Sequence, residues 1–120
     1  MAGIFGDEIN SRQDFFQTLQ QGKALVTLLV SKRPNEFNLK SVQTQIEAIE
    51  AWTANGRKPT LEERGKVALG YRLHREYEGT SDPEIYALKE LASAIQNYVR
   101  HWPDDAVARD PNNEWHRALQ

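Results

Sequence analysis

The sequence predicts an all-α protein, a compact antiparallel four-helix bundle with a short C-terminal helical tail. Apolar residues recur in steps of three and four through four long segments, and a proline or glycine follows each segment. The links between the segments are short, which favours antiparallel neighbours. The 120 residues fit a single helical domain. Within it we expect a flexible lead-in over residues 1–10, the bundle over residues 11–102 and a polar tail over residues 103–120.

The first predicted helix follows Ser11 and runs to about Arg33. Ser11 and Asp14 approximate a capping box, in which the side chains satisfy free N–H groups of the first turn. Pro34 ends the helix because proline cannot continue its hydrogen bonding. The residues expected to face the core are Phe15, Leu19, Gly22, Val26 and Leu29.

The second predicted helix begins after Asn38, which we expect to cap it. Asn55 and Gly56 tolerate the left-handed backbone conformation that commonly ends a helix. The chain should therefore turn at these two residues. The apolar face of this helix is predicted to hold Leu39, Val42, Ile46, Ile49 and Trp52.

The third predicted helix spans Leu61 to Glu78 and begins at a Thr60–Glu63 capping box. Its apolar residues do not share one face. Val67 and Tyr71 lie on a different side from a row made of Leu61, Gly65, Leu69, Leu73 and Tyr77. A helix with two apolar sides has a second surface that the tail, a second copy or a foreign partner can cover.

The fourth predicted helix has the clearest pattern and runs from Asp82 to Trp102. Asp82 can cap it, Pro83 suits its first position, and Pro103 ends it. Its broad apolar stripe has to be buried against the other three helices. The stripe consists of Ile85, Leu88, Leu91, Ala92, Ile95, Tyr98, Val99 and Trp102. In the tail beyond it, Trp115 and Leu119 lie four residues apart and predict the short helix.

Composition and charge exclude several classes of function. Fifteen Lys and Arg against 17 Asp and Glu, with an isoelectric point near 5.9, give no basic footprint for nucleic acid. A helix-turn-helix made of predicted helices 2 and 3 is disfavoured because glutamates offset the basic residues of helix 3. The absence of cysteine excludes disulfides, thiolate zinc sites and cysteine nucleophiles. With no signal-peptide pattern and no membrane-spanning run, we expect a cytoplasmic protein that does not bind membranes.

No catalytic or cofactor motif is present. The three histidines, at positions 74, 101 and 116, lack zinc-ligand spacing, so surface histidines are the favoured interpretation. A metal site combining His101, Asp104 and His116 is the alternative. The sequence has no phosphate-binding loop and no Gly-x-Ser-x-Gly nucleophile. We therefore predict that the protein is not an enzyme and needs no cofactor.

Several short stretches resemble a family of bacterial proteins. They are Lys23–Val26, Lys32–Pro34, Gln43 with Ile46, Leu69–Gly70, Arg75–Glu78, Asp82–Ile85 and Ala87–Glu90. Over about residues 19–95 the chain resembles the all-helical immunity proteins encoded beside type VI secretion effectors, in particular those that neutralise a toxin hydrolysing NAD(P)+. The resemblance implies a cytoplasmic protein that binds its cognate toxin domain and blocks the toxin's active site. The alternative is a relative that opposes a toxin of another activity, such as a nucleotide pyrophosphokinase.

An acidic and aromatic corner is the predicted toxin-binding surface. It lies where predicted helices 3 and 4 meet. We expect it to bind the toxin because its carboxylates can mimic an anionic substrate and steer association. The residues expected to contact the partner are Arg72, Glu76, Tyr77, Glu78, Asp82 and Glu84. The alternative for Arg72 and Glu76 is an ordinary ion pair within the helix. Tyr71 and Trp52 are interpreted as binding anchors if exposed and as core residues if buried.

A different class of function also fits the two-sided third helix. A homo-oligomeric scaffold or secretion chaperone can bury the second apolar side against another copy of itself. This alternative predicts a homodimer without any toxin present.

Overall fold

A computed structural model of the protein describes residue 9 and residues 11–103. Most of the predicted lead-in, and all of the predicted tail from Asp104 onward, lie outside the described residues. Within the described part the chain forms five α-helices and one 3-10 turn, and it contains no strand. The helices are α1 (Arg12–Lys32), α2 (Phe37–Trp52), α3 (Leu61–Gly65), α4 (Leu69–Glu76) and α5 (Pro83–Arg100).

The four longer helices form the predicted all-α bundle. Helix α1 packs against α2 and α5, and α4 packs against α5 and α2, which closes the ring, while the short α3 lies against α5. The interior consists of aliphatic side chains with an aromatic cluster at one end. Each large side chain removed from water in this way contributes roughly 1.5–3 kcal/mol. The fully buried side chains include Phe15, Leu19, Leu29, Leu39, Ile46, Ile49, Leu69, Leu73, Ile85, Leu88 and Ile95.

Three predicted caps are confirmed. The Ser11 hydroxyl accepts a hydrogen bond from the Asp14 amide at 3.0 Å. Thr60 and Glu63 form the complete reciprocal capping box. The Asp82 carboxylate accepts from two amides in the first turn of α5, which begins with Pro83. These helix starts depend on residues within one turn of each other, which is why the sequence alone locates them.

The predicted start of the second helix is wrong. Helix α2 begins at Phe37 after Glu36, and no side chain caps it. Asn38, the expected cap, lies inside the helix, where its Oδ1 accepts a hydrogen bond from Arg72 Nη1 at 3.5 Å. The predicted end is confirmed, because Asn55 and Gly56 have φ angles of 60° and 80° in the left-handed region.

The predicted third helix is divided in two. Helix α3 ends at Gly65 and α4 starts at Leu69, with a turn through Lys66, Val67 and Ala68 between them. Two glutamines from neighbouring helices satisfy the backbone at this break. Gln45 of α2 donates to the Lys66 carbonyl at 3.3 Å and accepts from the Ala68 amide at 3.0 Å.

The second glutamine acts at the first turn of α4. The Gln96 Oε1 atom of α5 accepts from the amides of Gly70 and Tyr71 at 2.9 and 3.1 Å. Since two free N–H groups of α4 are thereby satisfied, Gln96 does the work of a cap from outside the helix.

The break divides the predicted second apolar side, because Val67 becomes buried and Tyr71 stays exposed. Val67 and Leu69 are two residues apart, a separation that places side chains on opposite sides of a continuous helix. The turn between α3 and α4 lets both enter the core, where they are 1% and 0% exposed. Leu61 and Tyr71 remain outside, at 78% and 61% exposure. The interpretation of one rod with two apolar flanks is therefore wrong.

The predicted fourth helix is shorter than expected. Helix α5 ends at Arg100, and Trp102 lies beyond its end. Trp102 is nevertheless only 5% exposed, because its ring packs edge-on against Phe15 and Tyr98. The apolar stripe thus predicts the burial of Trp102 correctly, although not its helical conformation.

Candidate functional site

The six residues predicted to bind a partner lie at one end of the bundle. Arg72, Glu76 and Tyr77 belong to the last part of α4 or its C-cap, and Glu78 follows in the turn. Asp82 and Glu84 stand at the start of α5. Gly79, with a φ angle of 71°, provides the left-handed residue that the turn between them requires. We call this group of six residues the α4–α5 corner.

Tyr77 is anchored to the link between α1 and α2. Its hydroxyl donates a hydrogen bond of 2.6 Å to Glu36 Oε1. Burial, followed by this bond to a carboxylate, raises the pKa of the Tyr77 phenol well above its usual value. The Tyr77 carbonyl accepts from Lys89 Nζ at 3.2 Å. Tyr77 therefore fixes the end of α4 to two other elements, with its ring half-buried against the core.

Asp82 and Glu84 are both paired with basic residues at the end of α1, the C-cap Arg33 and Lys32. Asp82 Oδ1 caps α5, while its Oδ2 accepts a hydrogen bond from Arg33 Nη2. Glu84 pairs with Lys32 at 3.0 Å. Arg33 also pairs with Glu36 at 3.3 Å. The charges of Asp82 and Glu84 are thus offset by partners within the same chain, and these pairs join the start of α5 to the end of α1 at the protein surface.

The remaining acids of the corner are uncommitted. Glu76 and Glu78 are exposed, and among the described residues no ion pair engages either of them. The alternative interpretation of Arg72 and Glu76 as an intrahelical ion pair is wrong, since Arg72 is directed to Asn38 of α2. Among the described residues, the corner consequently presents two carboxylates without a partner, Glu76 and Glu78, beside three residues that are hydrogen-bonded or ion-paired, Tyr77, Asp82 and Glu84.

The partners of Tyr77, Asp82 and Glu84 are residues that were not predicted as part of the site. Lys32, Arg33 and Glu36 close the network beneath the corner. A signal for them exists in the sequence. In an antiparallel bundle the end of one helix lies beside the start of a neighbour, so basic residues ending helix 1 are natural partners for acids that start helix 4.

A second surface feature is an open groove between α4 and α5. Its volume is about 370 Å³, and its floor is formed by Gly70 and Gln96. Tyr71, expected to be an anchor if exposed, stands at its edge at 61% exposure. Trp52, for which the same two interpretations were open, is half-buried against the core. The side chains around the groove are those of Tyr71, His74, Ser93, Asn97, Arg100 and His101.

The described residues hold no cluster of three or more His, Asp or Glu side chains that is arranged to bind a metal. The alternative metal group includes Asp104 and His116, which lie outside the described residues, so it stays a hypothesis. Across residues 11–103, no helix combines the length and apolar character that spanning a membrane requires.

Comparison with known proteins gives no match. Neither the models of known protein families, nor curated proteins, nor solved structures are similar to this chain. The resemblance to immunity proteins is therefore carried by the short stretches of sequence alone.

Proposed function

We propose that this chain is a bacterial immunity protein that binds a cognate secreted toxin and occludes its active site. The proposal places the protein in the cytoplasm of the producing cell, where it acts stoichiometrically and without a cofactor. The toxin is expected to hydrolyse NAD(P)+ or to act on another nucleotide. The sequence resemblance suggests the partner, and the arrangement of the α4–α5 corner supports a binding role.

The observation that carries the proposal is the contrast within the corner. Asp82 and Glu84 are held by Lys32 and Arg33, and Tyr77 is held by Glu36. Glu76 and Glu78 project from this fixed base without an internal partner among the described residues. Because the backbone that carries them is held in place, binding has to order only the two side chains, and their carboxylates can enter a cleft built for nucleotide phosphates.

Within this proposal the six predicted contacts divide into two roles. Glu76 and Glu78 act as direct contacts, because they are exposed and unpaired. Tyr77, Asp82 and Glu84 position them through the bonds to α1 and to the α1–α2 link. Arg72 supports α4 from the side of α2 through Asn38.

The first step of the test is to read the genes that flank the coding sequence. An adjacent large effector with a toxin domain supplies the partner to purify. That domain should associate with the Glu76→Lys/Glu78→Lys variant at least about tenfold more slowly than with the wild type. The reason is that the long-range electrostatic attraction between the corner and the toxin is reversed. Stopped-flow association at low and high salt measures this difference.

Glu47→Lys/Glu62→Lys is the matched control. Glu47 and Glu62 are exposed residues of α2 and α3 outside the corner, and the double reversal changes net charge by the same amount. It should associate at close to the wild-type rate. Equal affinity of both double variants for the toxin would reject the corner as the contact surface.

A homo-oligomeric scaffold or secretion chaperone is the second candidate, favoured by a different observation. Several large apolar or aromatic side chains of the described helices are exposed, and such groups are often covered by another chain. This candidate predicts dimers without toxin, which light scattering coupled to size-exclusion chromatography detects. The exposed residues are Leu28, Phe37, Leu61, Tyr71 and Tyr86.

A further inference from the structure

The groove between α4 and α5 is separate from the corner and has a different electrostatic character. Arg100 at the end of α5 is exposed, and no ion pair engages it among the described residues. His74 and His101 lie on either side of the same groove. Within the described part of the chain, no acidic side chain lines it. The described lining of the groove thus carries the positive charge of Arg100 and no negative charge.

The floor of the groove is rigid because the two helices touch there. A Cβ atom on Gly70 would lie 2.8 Å from the Ser93 Cα atom, so the backbones are in close contact. Gln96 bonds to two amides of α4 across the same contact. Both walls are thus fixed before any partner arrives, which lowers the entropic cost of binding.

The dimensions fit a short extended peptide. From Ser93 to Arg100 the α5 wall is about 10 Å long at 1.5 Å per helical residue. An extended chain advances about 3.3 Å per residue, so the groove accommodates about three residues. Tyr71 offers an exposed aromatic face at one wall, and Asn97 offers a side-chain amide at the other.

We propose that the α4–α5 groove is a docking site for an acidic segment of a protein partner, one that carries an aromatic residue between carboxylates. The carboxylates pair with the Arg100 guanidinium, while the aromatic residue packs on Tyr71. Charge complementarity selects this occupant over a basic or purely apolar segment. The site does not depend on the proposed toxin, since it lies outside the corner.

The test uses a fluorescein-labelled probe peptide, Gly-Ser-Glu-Phe-Glu-Ser-Gly, and measures anisotropy with the full-length protein at low salt. The wild type should bind this peptide and should bind the version with glutamine at both glutamate positions about tenfold more weakly. Added salt should weaken binding of the glutamate peptide only, because the attraction between exposed charges is screened.

Variants at the groove identify the residues that bind. Arg100→Gln should lower affinity about tenfold and Tyr71→Ala by about fivefold. Arg100→Lys keeps the charge but loses the planar fork, and should lie between wild type and Arg100→Gln. Arg75→Gln is the matched control, because Arg75 is an exposed cation of α4 that does not line the groove. Circular dichroism confirms that each variant is folded.

Three outcomes would overturn the proposal. The first is equal binding of the glutamate and glutamine peptides, or no binding up to about 1 mM, the weak end of measurable affinity. The second is an equal loss in Arg75→Gln and Arg100→Gln, which indicates attraction without a site. The third is a dimer that Arg100→Gln abolishes in sedimentation equilibrium, since the groove would then hold a second copy. Failure of the corner variants to affect toxin binding leaves these results unchanged.

Discussion

Gly65 and Gly70 have opposite surroundings. Each glycine within a helix costs up to about 1 kcal/mol relative to alanine, so the sequence suggests that a neighbouring helix approaches closely at both. Gly70 fits this expectation, since a Cβ atom there would meet the Ser93 backbone. Gly65 does not, because nothing lies within 4 Å of its Cβ position. Low helix propensity marks both glycines as unusual, whereas only the packing shows that Gly70 is the one required.

These surroundings predict opposite effects of the same substitution. Gly70→Ala should lower the free energy of unfolding by about 1–3 kcal/mol, because the methyl group can be accommodated only by moving backbone atoms. Gly65→Ala should leave it unchanged or raise it by up to about 1 kcal/mol through helix propensity. Urea unfolding of the two variants measures both values. Equal destabilisation of the two would contradict the close contact between α4 and α5.

Tyr77 predicts a dependence of stability on alkaline pH. Its pKa is raised in the folded protein, mainly by burial and then by the bond to Glu36. The unfolded chain therefore releases the phenol proton first, and the contribution of Tyr77 to stability is present below about pH 10 and lost as the pH rises further. In Tyr77→Phe the free energy of unfolding should fall less steeply between about pH 9 and pH 11.

Urea unfolding at closely spaced pH values provides the measurement. At neutral pH Tyr77→Phe should be less stable than the wild type by about 1 kcal/mol, because Glu36 loses a hydrogen-bond donor. Lys23 also has a raised pKa, from its hydrogen bond and ion pair with Glu50, and contributes to the alkaline loss in both proteins. Identical slopes in the two proteins would show that the phenol does not titrate differently on folding.

The helix break between α3 and α4 is a feature that local sequence patterns do not predict. Ser11, Thr60 and Asp82 cap their helices through residues within the next turn, so the sequence predicts them correctly. The break depends instead on Gln45 and Gln96, which come from α2 and α5. No pattern within residues 61–78 reveals partners so distant in the chain, and the capping box at Thr60 favours one continuous helix.

In the candidate site, too, contacts between residues close in sequence are easier to predict than contacts between distant ones. The clustering of its six residues around one turn was predictable, because they are close in sequence. The pairing of Asp82 and Glu84 with Lys32 and Arg33 has a signal in the opposite charges of the two segments, but that signal selects partners only once the neighbouring helices are known. The corner therefore keeps two free acids, Glu76 and Glu78, where the sequence indicated four.

Gln96 should be required for its side-chain oxygen, which accepts hydrogen bonds, rather than for its side-chain NH2 group. Gln96→Ala leaves the Gly70 and Tyr71 amides without their partner and should cost about 1–2 kcal/mol of stability. Gln96→Glu keeps an acceptor oxygen and adds a negative charge at the positive end of α4, so stability should be retained or slightly raised. Hydrogen exchange at the first amides of α4 should accelerate in Gln96→Ala alone. Acceleration in both variants would indicate that the amide nitrogen of Gln96 matters more.

Arg12 connects three distant parts of the bundle. Its guanidinium donates to Tyr98 Oη at 3.1 Å, to the Pro103 carbonyl at 2.8 Å and to the Gly56 carbonyl at 3.4 Å. It also lies 4.1 Å from the centre of the Trp102 ring. The start of α1, the turn after α2 and the chain beyond α5 are therefore joined by one side chain. This network explains how Trp102 and Pro103 are held in place although α5 has already ended.

Loss of this connection should loosen the whole bundle rather than one helix. Arg12→Gln is expected to lower the free energy of unfolding by about 2 kcal/mol, because two part-buried carbonyls lose a charged donor and the Trp102 ring loses its cation. Arg12→Lys should restore only part of the loss, since a single ammonium group cannot reproduce the planar fork that reaches separate acceptors.

Arg75→Gln supplies the control, because Arg75 is exposed and should change stability by less than about 0.5 kcal/mol. Urea unfolding followed by tryptophan fluorescence reports on all four proteins, and Trp102 beside Arg12 makes the signal sensitive to this end of the bundle. Full restoration of stability by Arg12→Lys would mean that a positive charge alone is enough to join the start of α1 to the turn after α2 and to the chain beyond α5. Equal stability of Arg12→Gln and the wild type would show that the aromatic cluster of Phe15, Tyr98 and Trp102 holds the two ends of the bundle together without it.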